Sequence, residues 1–137
     1  EGNTCATGEA ASDLVKQIVK ERGFTFNPRQ SKLVSSGYAV SPFKQHELVV
    51  EMQKIMEDAN WRDDLRARLK DYAKDKAKLL KRSKAHLGAW WDSETNNLFL
   101  DISLVVDDLE EAKQLARDNE QLAIYHLDTG ETIDVGR

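Results

Sequence analysis

Three histidines, His46, His86 and His126, are the side chains of this sequence best suited to general base catalysis or zinc binding. Histidines that bind a metal commonly have a second ligand a few residues away. None of the three has a His or Cys at i+2, i+3 or i+4. The spacing favours structural or surface histidines, and we predict no metal site. An enzymatic function would require a pocket that joins His86 or His126 to carboxylates.

Acidic residues give no more specific indication of a site. The candidates for a carboxylate site are Asp92, Asp101 and Asp107. Asp92 and Asp107 are expected at the ends of a strand and a helix, where solvated acids are common. Because no spacing within the set is specific, the sequence assigns no role to it.

The tripeptide Asp128-Thr129-Gly130 resembles the active-site turn of aspartic proteases, in which two aspartates share a proton. In that family Ala or Ser usually follows the turn, whereas Glu131 follows here. A polar hairpin turn explains the same three residues, because Asp bonds its own backbone and Gly accepts a positive φ. We therefore predict a turn at this position.

Other catalytic and cofactor motifs have no match in the sequence. These include Ser/His/Asp and Cys/His arrangements, phosphate-binding glycine loops and dinucleotide fingerprints. Cys5 is the single cysteine, so it makes no internal disulfide. We predict that the chain is not an enzyme and needs no cofactor.

The charge of the chain is divided between two opposed blocks. The net charge is −4, yet residues 60–84 carry +6 and residues 85–137 carry −9. The positive block is a predicted helix whose basic side chains suit phosphate contacts. The candidate nucleic-acid-binding residues are Arg66, Lys70, Lys74, Lys78, Lys81, Arg82 and Lys84. In the alternative interpretation, these cations form ion pairs within the helix or face the acidic block.

Trp90 and Trp91 are adjacent in a predicted strand, so their side chains point to opposite faces of the sheet. At most one of them readily enters a core that is covered on one side. The other, with Phe99 or Tyr125 beside it, would form an exposed aromatic patch that anchors a protein partner. The candidate partner-binding residues are therefore Trp90, Trp91, Phe99 and Tyr125. In the alternative, the N-terminal helix covers this face.

The length and composition indicate one globular domain. The chain has 137 residues, of which 40% are hydrophobic and 32% charged, enough for one core and too few for two. Residues 1–8 are expected to form a flexible N-terminus. The missing initiator Met suggests a piece of a longer, processed polypeptide. No apolar run approaches the roughly 18 residues that cross a bilayer, so a cytosolic setting is expected.

Hydrophobic periodicity and turn residues predict the elements that must position these side chains. Helices are predicted at 9–22, 60–84 and from 107 or 108 to about 119. Strands are predicted at 37–40, 47–52, 87–92, 98–106, 122–127 and 132–135. Residues 47–57 also fit helical spacing, and that alternative stays open. Residues 24–35 are expected to form an extended, turn-rich connection.

From residue 47 onward the order of elements is β-α-β-β-α-β. This is the split arrangement of ferredoxin-like folds, in which an antiparallel sheet carries two helices on one face. We therefore predict an α+β fold of this kind, preceded by an N-terminal helix. In the strand predicted at 98–106, alternate positions are aliphatic, namely Leu98, Leu100, Ile102 and Leu104. This alternation predicts one wholly aliphatic strand face.

Aromatic, aliphatic and turn tracts run through the chain from residue 23 onward. They are Gly23-Phe24-Thr25-Phe26-x-Pro28, Ser36-Gly37-Tyr38-Ala39-Val40-Ser41-Pro42, His86-Leu87-Gly88-Ala89-Trp90, Leu98-Phe99-Leu100-Asp101-Ile102-Ser103, Glu110-Glu111-Ala112 and Gln121-Leu122-Ala123-Ile124. Together they resemble a family of small domains encoded by bacteriophages and prophages, found near head genes or inside virion polypeptides. That family has no assigned activity, so the resemblance implies a phage setting and protein–protein binding, and no catalytic residues.

The sequence thus predicts a non-enzymatic protein–protein interaction domain of a phage-related protein, virion-associated or host-interacting. Its location would be the cytoplasm of a bacterial host or the virion. The expected partner is another protein, of phage or host, with no membrane involved. The alternative function is a nucleic-acid-binding module that uses the basic helix 60–84.

Overall fold

The computed structural model describes residues 8–135, with side chains from residue 10 onward. Its helices are α1 (Gly8–Glu21), α2 (Met52–Ile55), α3 (Trp61–Asp75), α4 (Ala77–Leu80) and α5 (Leu109–Asp118). Its strands are β1 (Gly23–Asn27), β2 (Lys32–Leu33), β3 (Tyr38–Val40), β4 (Leu48–Glu51), β5 (Ala85–Asp92), β6 (Asn97–Val106), β7 (Ala123–His126) and β8 (Glu131–Asp134). A 3-10 turn at Lys44–His46 precedes β4. The predicted α+β class is confirmed.

The N-terminal predictions are only partly covered by the structure. The expected flexible segment, residues 1–8, lies outside the described residues except for Gly8, where α1 begins. Cys5 also lies outside them. The helix predicted at 9–22 is confirmed to within one residue at each end.

All eight described strands belong to one antiparallel sheet, in the order β2-β1-β5-β6-β3-β7-β8, with β4 also beside β6. One edge of β6 pairs with the whole of β5. The other edge is shared, because β4 pairs with residues 97–100 and β3 with residues 104–106. Residues 41–47 leave the sheet between these two pairings. Residues 101–103 therefore have no strand partner on that edge.

The side chains of β6 alternate between a covered and an uncovered face, as the sequence predicts. Leu98, Leu100 and Ile102 are 0% exposed. They pack in one core with side chains of α1, α3 and α4, among them Leu14, Ile18, Leu65, Leu69 and Leu80. The N-terminal helix thus lies on the same face as α3, and the alternative in which it covers the opposite face is wrong.

A second apolar cluster lies under α5. Ala112 and Ala116 of this helix pack with Val106 of β6 and with residues of β3 and β7. Val106 is an even-numbered residue of β6, like the three core residues above, so α5 covers the same face of the sheet. The Asp108 carboxylate accepts a hydrogen bond from the N–H of Glu111 at 2.9 Å and caps the helix.

The single helix predicted for residues 60–84 is interrupted. Lys76 leaves helical geometry (φ −100°, ψ 16°), which ends α3 and leaves α4 with four residues. Its ammonium lies 3.2 Å from Nδ1 of His46 and 3.2 Å from the Asp75 carboxylate. Because Lys76 and Leu80 still fall on the apolar stripe, sequence periodicity does not reveal the break.

Residues 24–35, predicted as a connection, contain β1 and β2. Phe26 is buried in the first core and pairs with Leu87 of β5. The Asn27 side chain accepts hydrogen bonds from the N–H groups of Arg29 and Gln30, and this turn leads into the two residues of β2. The expected turn is therefore present, but it ends a strand of the sheet.

The region of residues 47–57 contains both elements that the sequence left open. β4 ends at Glu51, and α2 begins at Met52.

At the other end of the sheet, β7 pairs with β3 through Tyr38↔His126 and Ala39↔Tyr125. Within the described chain, β7 does not pair with β4.

We expect Leu100→Ala to lower the free energy of unfolding by about 2–5 kcal/mol, because it leaves a cavity in the centre of the covered face. The control is Val49→Ala, at a side chain that is 46% exposed, where a loss below about 1 kcal/mol is expected. Urea unfolding followed by circular dichroism measures both. Equal losses would contradict the assignment of the covered face.

Candidate functional site

The uncovered face of the sheet, opposite α1, α3 and α5, presents the residues that alternate with the core positions. On β5 these include His86 and Gly88, which are buried, and Trp90, which is exposed. The Trp90 indole is 55% exposed. A large aromatic side chain left half in water is a feature typical of binding surfaces.

Trp91 points to the opposite side and is buried, with 8% of its surface exposed. Its indole N–H donates a hydrogen bond to Oδ1 of Asn96 at 2.8 Å. The Arg22 guanidinium lies 4.0 Å from the centroid of its ring. The two adjacent tryptophans thus take opposite faces, and Trp91, a predicted partner-binding residue, is removed from the exposed patch by its place in the core.

Trp90 belongs to a row of residues that crosses four strands. Gly23 of β1, Trp90 of β5, Phe99 of β6 and Val49 of β4 are paired in register. A Cβ at Gly23 would overlap the carbonyl oxygen of Ala89, so only glycine allows this close approach of β1 to β5. We call Trp90, Phe99 and Val49 the aromatic row.

Tyr125 does not belong to the aromatic row. It lies on the uncovered face and is 46% exposed, but it pairs with Ala39, which pairs with Val105. Val105 is six residues from Phe99 along β6, or about 20 Å at the usual rise of a strand. Of the two aromatic neighbours predicted for Trp90, Phe99 is adjacent and Tyr125 is at the other end of the sheet.

Asp101, two residues beyond Phe99, places a carboxylate on the uncovered face. Its partner across the strands is Gly88, and a Cβ at Gly88 would overlap Oδ1 of Asp101. The carboxylate therefore fills the space that the glycine leaves over the backbone of β5. Its other oxygen accepts a long hydrogen bond, 3.5 Å, from the Ser41 hydroxyl.

The surroundings of Asp101 disfavour its charge. Burial, followed by the negative charge of Glu47, raises the pKa of Asp101 to about 6, while the Ser41 hydroxyl and the Lys44 charge oppose this shift. At neutral pH the carboxylate is ionised but poorly compensated. The sequence assigned no role to Asp101, because only the strand register shows that an acid faces a glycine.

Carboxylates lie on both sides of the aromatic row. Asp92 and Glu51 stand in the next register position toward the β5–β6 turn, and Asp101 stands on the other side. Glu51 forms an ion pair with Lys54 at 3.3 Å. Within residues 8–135 the other two form no ion pair. The apolar centre of the uncovered face therefore has carboxylates on both sides.

Four of the predicted nucleic-acid-binding residues are exposed on the helix side of the molecule. Lys70, Lys74, Lys78 and Lys81 form no ion pair with any residue that the structure describes. They lie on α3, on α4 and just after it, and these helices pack on the covered face. The four lysines are therefore separated from the aromatic row by the sheet.

The other three basic candidates are engaged in internal contacts. Arg66 pairs with Asp63 at 3.2 Å, and the Arg82 guanidinium lies 5.7 Å from the ring centroid of Phe43. Lys84 pairs with Glu111 at 3.1 Å, which joins the basic block to the acidic one. Exposed pairs of this kind contribute at most about 1 kcal/mol, so one such contact leaves the two blocks largely independent.

The turn between β7 and β8 brings an imidazole, a carboxylate and a hydroxyl together. Nε2 of His126 lies 3.2 Å from Oδ1 of Asp128, and Nδ1 lies 3.1 Å from Oγ1 of Thr129. Nucleophilic catalysis uses these groups in the same order. Here the same groups hold the turn in place. Asp128 accepts a hydrogen bond from the Gly37 N–H at 2.8 Å, and Thr129 accepts one from the Glu131 N–H at 3.2 Å. Turn closure explains the cluster, and we assign no reaction to it.

The remaining histidines also make internal contacts. Nδ1 of His86 lies 2.8 Å from the carbonyl oxygen of Lys84, and burial lowers the pKa of His86. Nδ1 of His46 faces the Lys76 ammonium. In the described part of the chain, no group of three His, Cys, Asp or Glu side chains is arranged to hold a metal ion.

We expect Asp101→Asn to stabilise the protein above pH 6. The pKa is about 6 in the folded protein against an ordinary value of 3.8, so the folded state holds the proton more tightly. The resulting stability is present below pH 3.8 and is lost as the pH rises through 6. The uncharged amide of Asn removes that loss. We therefore expect the free energy of unfolding to rise by roughly 1–3 kcal/mol at pH 8 and to stay unchanged at pH 3.5.

Chemical unfolding at the two pH values measures this difference. Glu94→Gln, at an exposed carboxylate of the β5–β6 turn, is the control for a general effect of net charge. A gain from Asp101→Asn that is the same at both pH values, or no larger than that of the control, would show that the Asp101 carboxylate is well solvated.

Comparisons with known proteins give no relative of this chain: no family model matches it, and no curated protein or solved structure matches it significantly. The resemblance to phage-encoded domains stays a prediction. Within residues 8–135, no helix is long and apolar enough to cross a membrane. Function has to be argued from the site itself.

Proposed function

We propose that this domain binds another protein through the uncovered face of its sheet, and that it does so as part of a phage-related protein. The observation that carries the proposal is the aromatic row, in which an indole 55% exposed lies beside Phe99 and Val49. Buried aromatic anchors supply most of the energy at many protein interfaces. The phage setting rests on the resemblance of sequence tracts alone. We propose no catalytic role and no cofactor.

The fold proposed from residue 47 onward is the ferredoxin-like split β-α-β arrangement. The order β4, α3, β5, β6, α5, β7 supports it, and so does the pairing of β6 with both β4 and β5. In this interpretation β3 and β4 together take the place of the first strand of the ferredoxin-like unit. Both pair with the same edge of β6, and β3 also pairs with β7. β1, β2 and β8 are additions at the sheet edges.

The charges around the aromatic row define the chemistry of the partner. Asp92 and Asp101 carry negative charge beside exposed apolar surface and have no ion pair within the described chain. A partner with an aliphatic or aromatic side chain flanked by Lys or Arg complements this surface. A cation placed over the Trp90 indole would gain a further cation–π interaction.

We expect Trp90→Ala to weaken binding of the partner by at least about tenfold, which corresponds to about 1.4 kcal/mol. The partner is first captured from bacterial lysate, identified and purified, and its affinity is then measured by calorimetry. The matched control is Leu122→Ala, because Leu122 is 54% exposed but lies outside the aromatic row. Urea unfolding should show that both variants keep their stability to within about 1 kcal/mol.

Two results would contradict the proposal. One is a partner that binds Trp90→Ala as tightly as the unaltered protein. The other is an equal loss of affinity in the Trp90 and Leu122 variants, which would indicate general apolar adhesion.

Nucleic-acid binding by α3 and α4 is a second candidate function. The observation in its favour is that Lys70, Lys74, Lys78 and Lys81 are exposed and unpaired within the described chain. Phosphate contacts need only such a cationic surface. The acidic side chains of the uncovered face would then stay directed away from the nucleic acid.

If this candidate is right, fluorescently labelled DNA or RNA binds at low salt and its affinity falls steeply as salt rises. Lys74→Gln combined with Lys78→Gln is expected to reduce the slope of log affinity against log salt by about 2, one for each lost phosphate contact. Lys32→Gln, at an exposed lysine of β2, is the control. Absence of binding at low salt, or an unchanged slope in the double variant, would remove this function.

A further inference from the structure

β4 has a free outer edge, since within the described chain it pairs only with β6. The N–H of Met52 donates to the carbonyl oxygen of Asn96 at 3.1 Å, which makes these two residues a hydrogen-bonded pair of the ladder. Such pairs alternate along antiparallel strands. Val50 and Leu48 therefore also bond to β6, and the N–H and C=O of Val49 point away from the sheet.

This edge lacks the usual protection against pairing. Natural edges commonly carry a lysine, a proline or a bulge, whereas β4 reads Leu-Val-Val-Glu. Leu48 is 38% exposed and Val49 is 46% exposed. The other two edge strands, β2 and β8, differ from β4. β2 has only two residues and includes a lysine, and β8 begins and ends with an acid.

A groove of about 380 Å³ lies between this edge and α3. Leu48 and Tyr72 provide apolar lining, and the Tyr72 hydroxyl donates to the carbonyl oxygen of His46 at 2.6 Å. Three carboxylates and two cations also line the groove: Glu47, Asp71, Asp75, Arg68 and Lys76. Lys76 pairs with Asp75 at 3.2 Å, whereas Glu47 and Asp71 form no ion pair with a residue that the structure describes. The groove therefore suits a side chain with an aliphatic stem and a cationic end.

From these features we infer that β4 accepts an extended segment of the partner protein as an additional strand, with a lysine or arginine of that segment in the groove. Alternate side chains of an added strand point to opposite faces. One set enters the groove beside α3, and the other lies against Val49 at the end of the aromatic row. Main-chain hydrogen bonds to Val49 supply affinity, and the groove supplies selectivity.

The inference rests on the proposed function in that the occupant is a protein. It adds the place where the backbone of the partner binds and the charge that its side chain carries. The probe is a yeast-displayed library of random peptides of about ten residues, the upper length of ordinary strands. The library is selected against the full chain, and the selected peptides are then synthesised.

Val49→Pro is the decisive variant, because it removes the outward N–H and no hydrogen bond of the β4–β6 ladder. Val49→Ala is its matched control, since it loses the side chain but keeps the N–H. We expect the selected peptides to contain Lys or Arg within an extended apolar pattern. Their affinity should fall at least tenfold with Val49→Pro and several-fold less with Val49→Ala.

A measurement on the unaltered protein keeps the test independent of the folding of the proline variant. Hydrogen exchange of the Val49 amide should be fast in the free protein and slow at least tenfold when a selected peptide is bound. Glu47→Gln with Asp71→Asn should weaken the same peptides, whereas Glu94→Gln, in the β5–β6 turn, should not.

Recovery of no binder, or only of binders that leave exchange at Val49 unchanged, overturns the inference. Binders that need Trp90 but tolerate Val49→Pro overturn the added strand and leave the proposed function standing. Binders that need the Val49 N–H but tolerate Trp90→Ala overturn the proposed function and leave the added strand standing. The two failures are thus distinguishable in one set of peptides.

Discussion

The contact of Leu98, Leu100 and Ile102 with α1, α3 and α4 fixes the rest of this structure. These side chains are 0% exposed, and each contributes about 1.5–3 kcal/mol by leaving water. Because neighbouring residues of a strand point to opposite faces, burial of this set forces Phe99 and Asp101 to the other side. The apolar and acidic character of the uncovered face is therefore a consequence of how β6 meets its core.

The second constraint is the division of one sheet position between β3 and β4. Seven residues, 41–47, leave the sheet where β6 has only three without a partner on that edge, 101–103. The excursion brings Ser41 and Glu47 toward Asp101. It also leaves β7 paired with β3 and not with β4, so within the described chain the outer edge of β4 stays free. Burial is the first cause of the raised pKa of Asp101; of the groups in this excursion, Glu47 adds to the shift, and Ser41 and Lys44 oppose it.

Local pattern was sufficient for much of the fold and for part of the site. Alternation placed Leu98, Leu100 and Ile102 in the core and separated Trp90 from Trp91. Pairing between distant strands is not encoded locally. The sequence therefore offered Tyr125 as well as Phe99 as the neighbour of Trp90, gave Asp101 no role, and missed the break at Lys76, whose ammonium contacts His46 thirty residues away.

The exposed lysines of α3 and α4 and the carboxylates beside the aromatic row lie on opposite sides of the sheet, and this decides what each surface can bind. Solvent-exposed charges farther apart than the Debye length, about 8 Å at physiological salt, are largely screened from each other. The exposed lysines of α3, across the sheet, therefore do little to neutralise Asp92 and Asp101. Within residues 8–135, one ion pair joins residues 60–84 to residues 85–137; it links Lys84 with Glu111, is half exposed and is weak. A cationic partner on the uncovered face and an anionic one on α3 and α4 would therefore not compete.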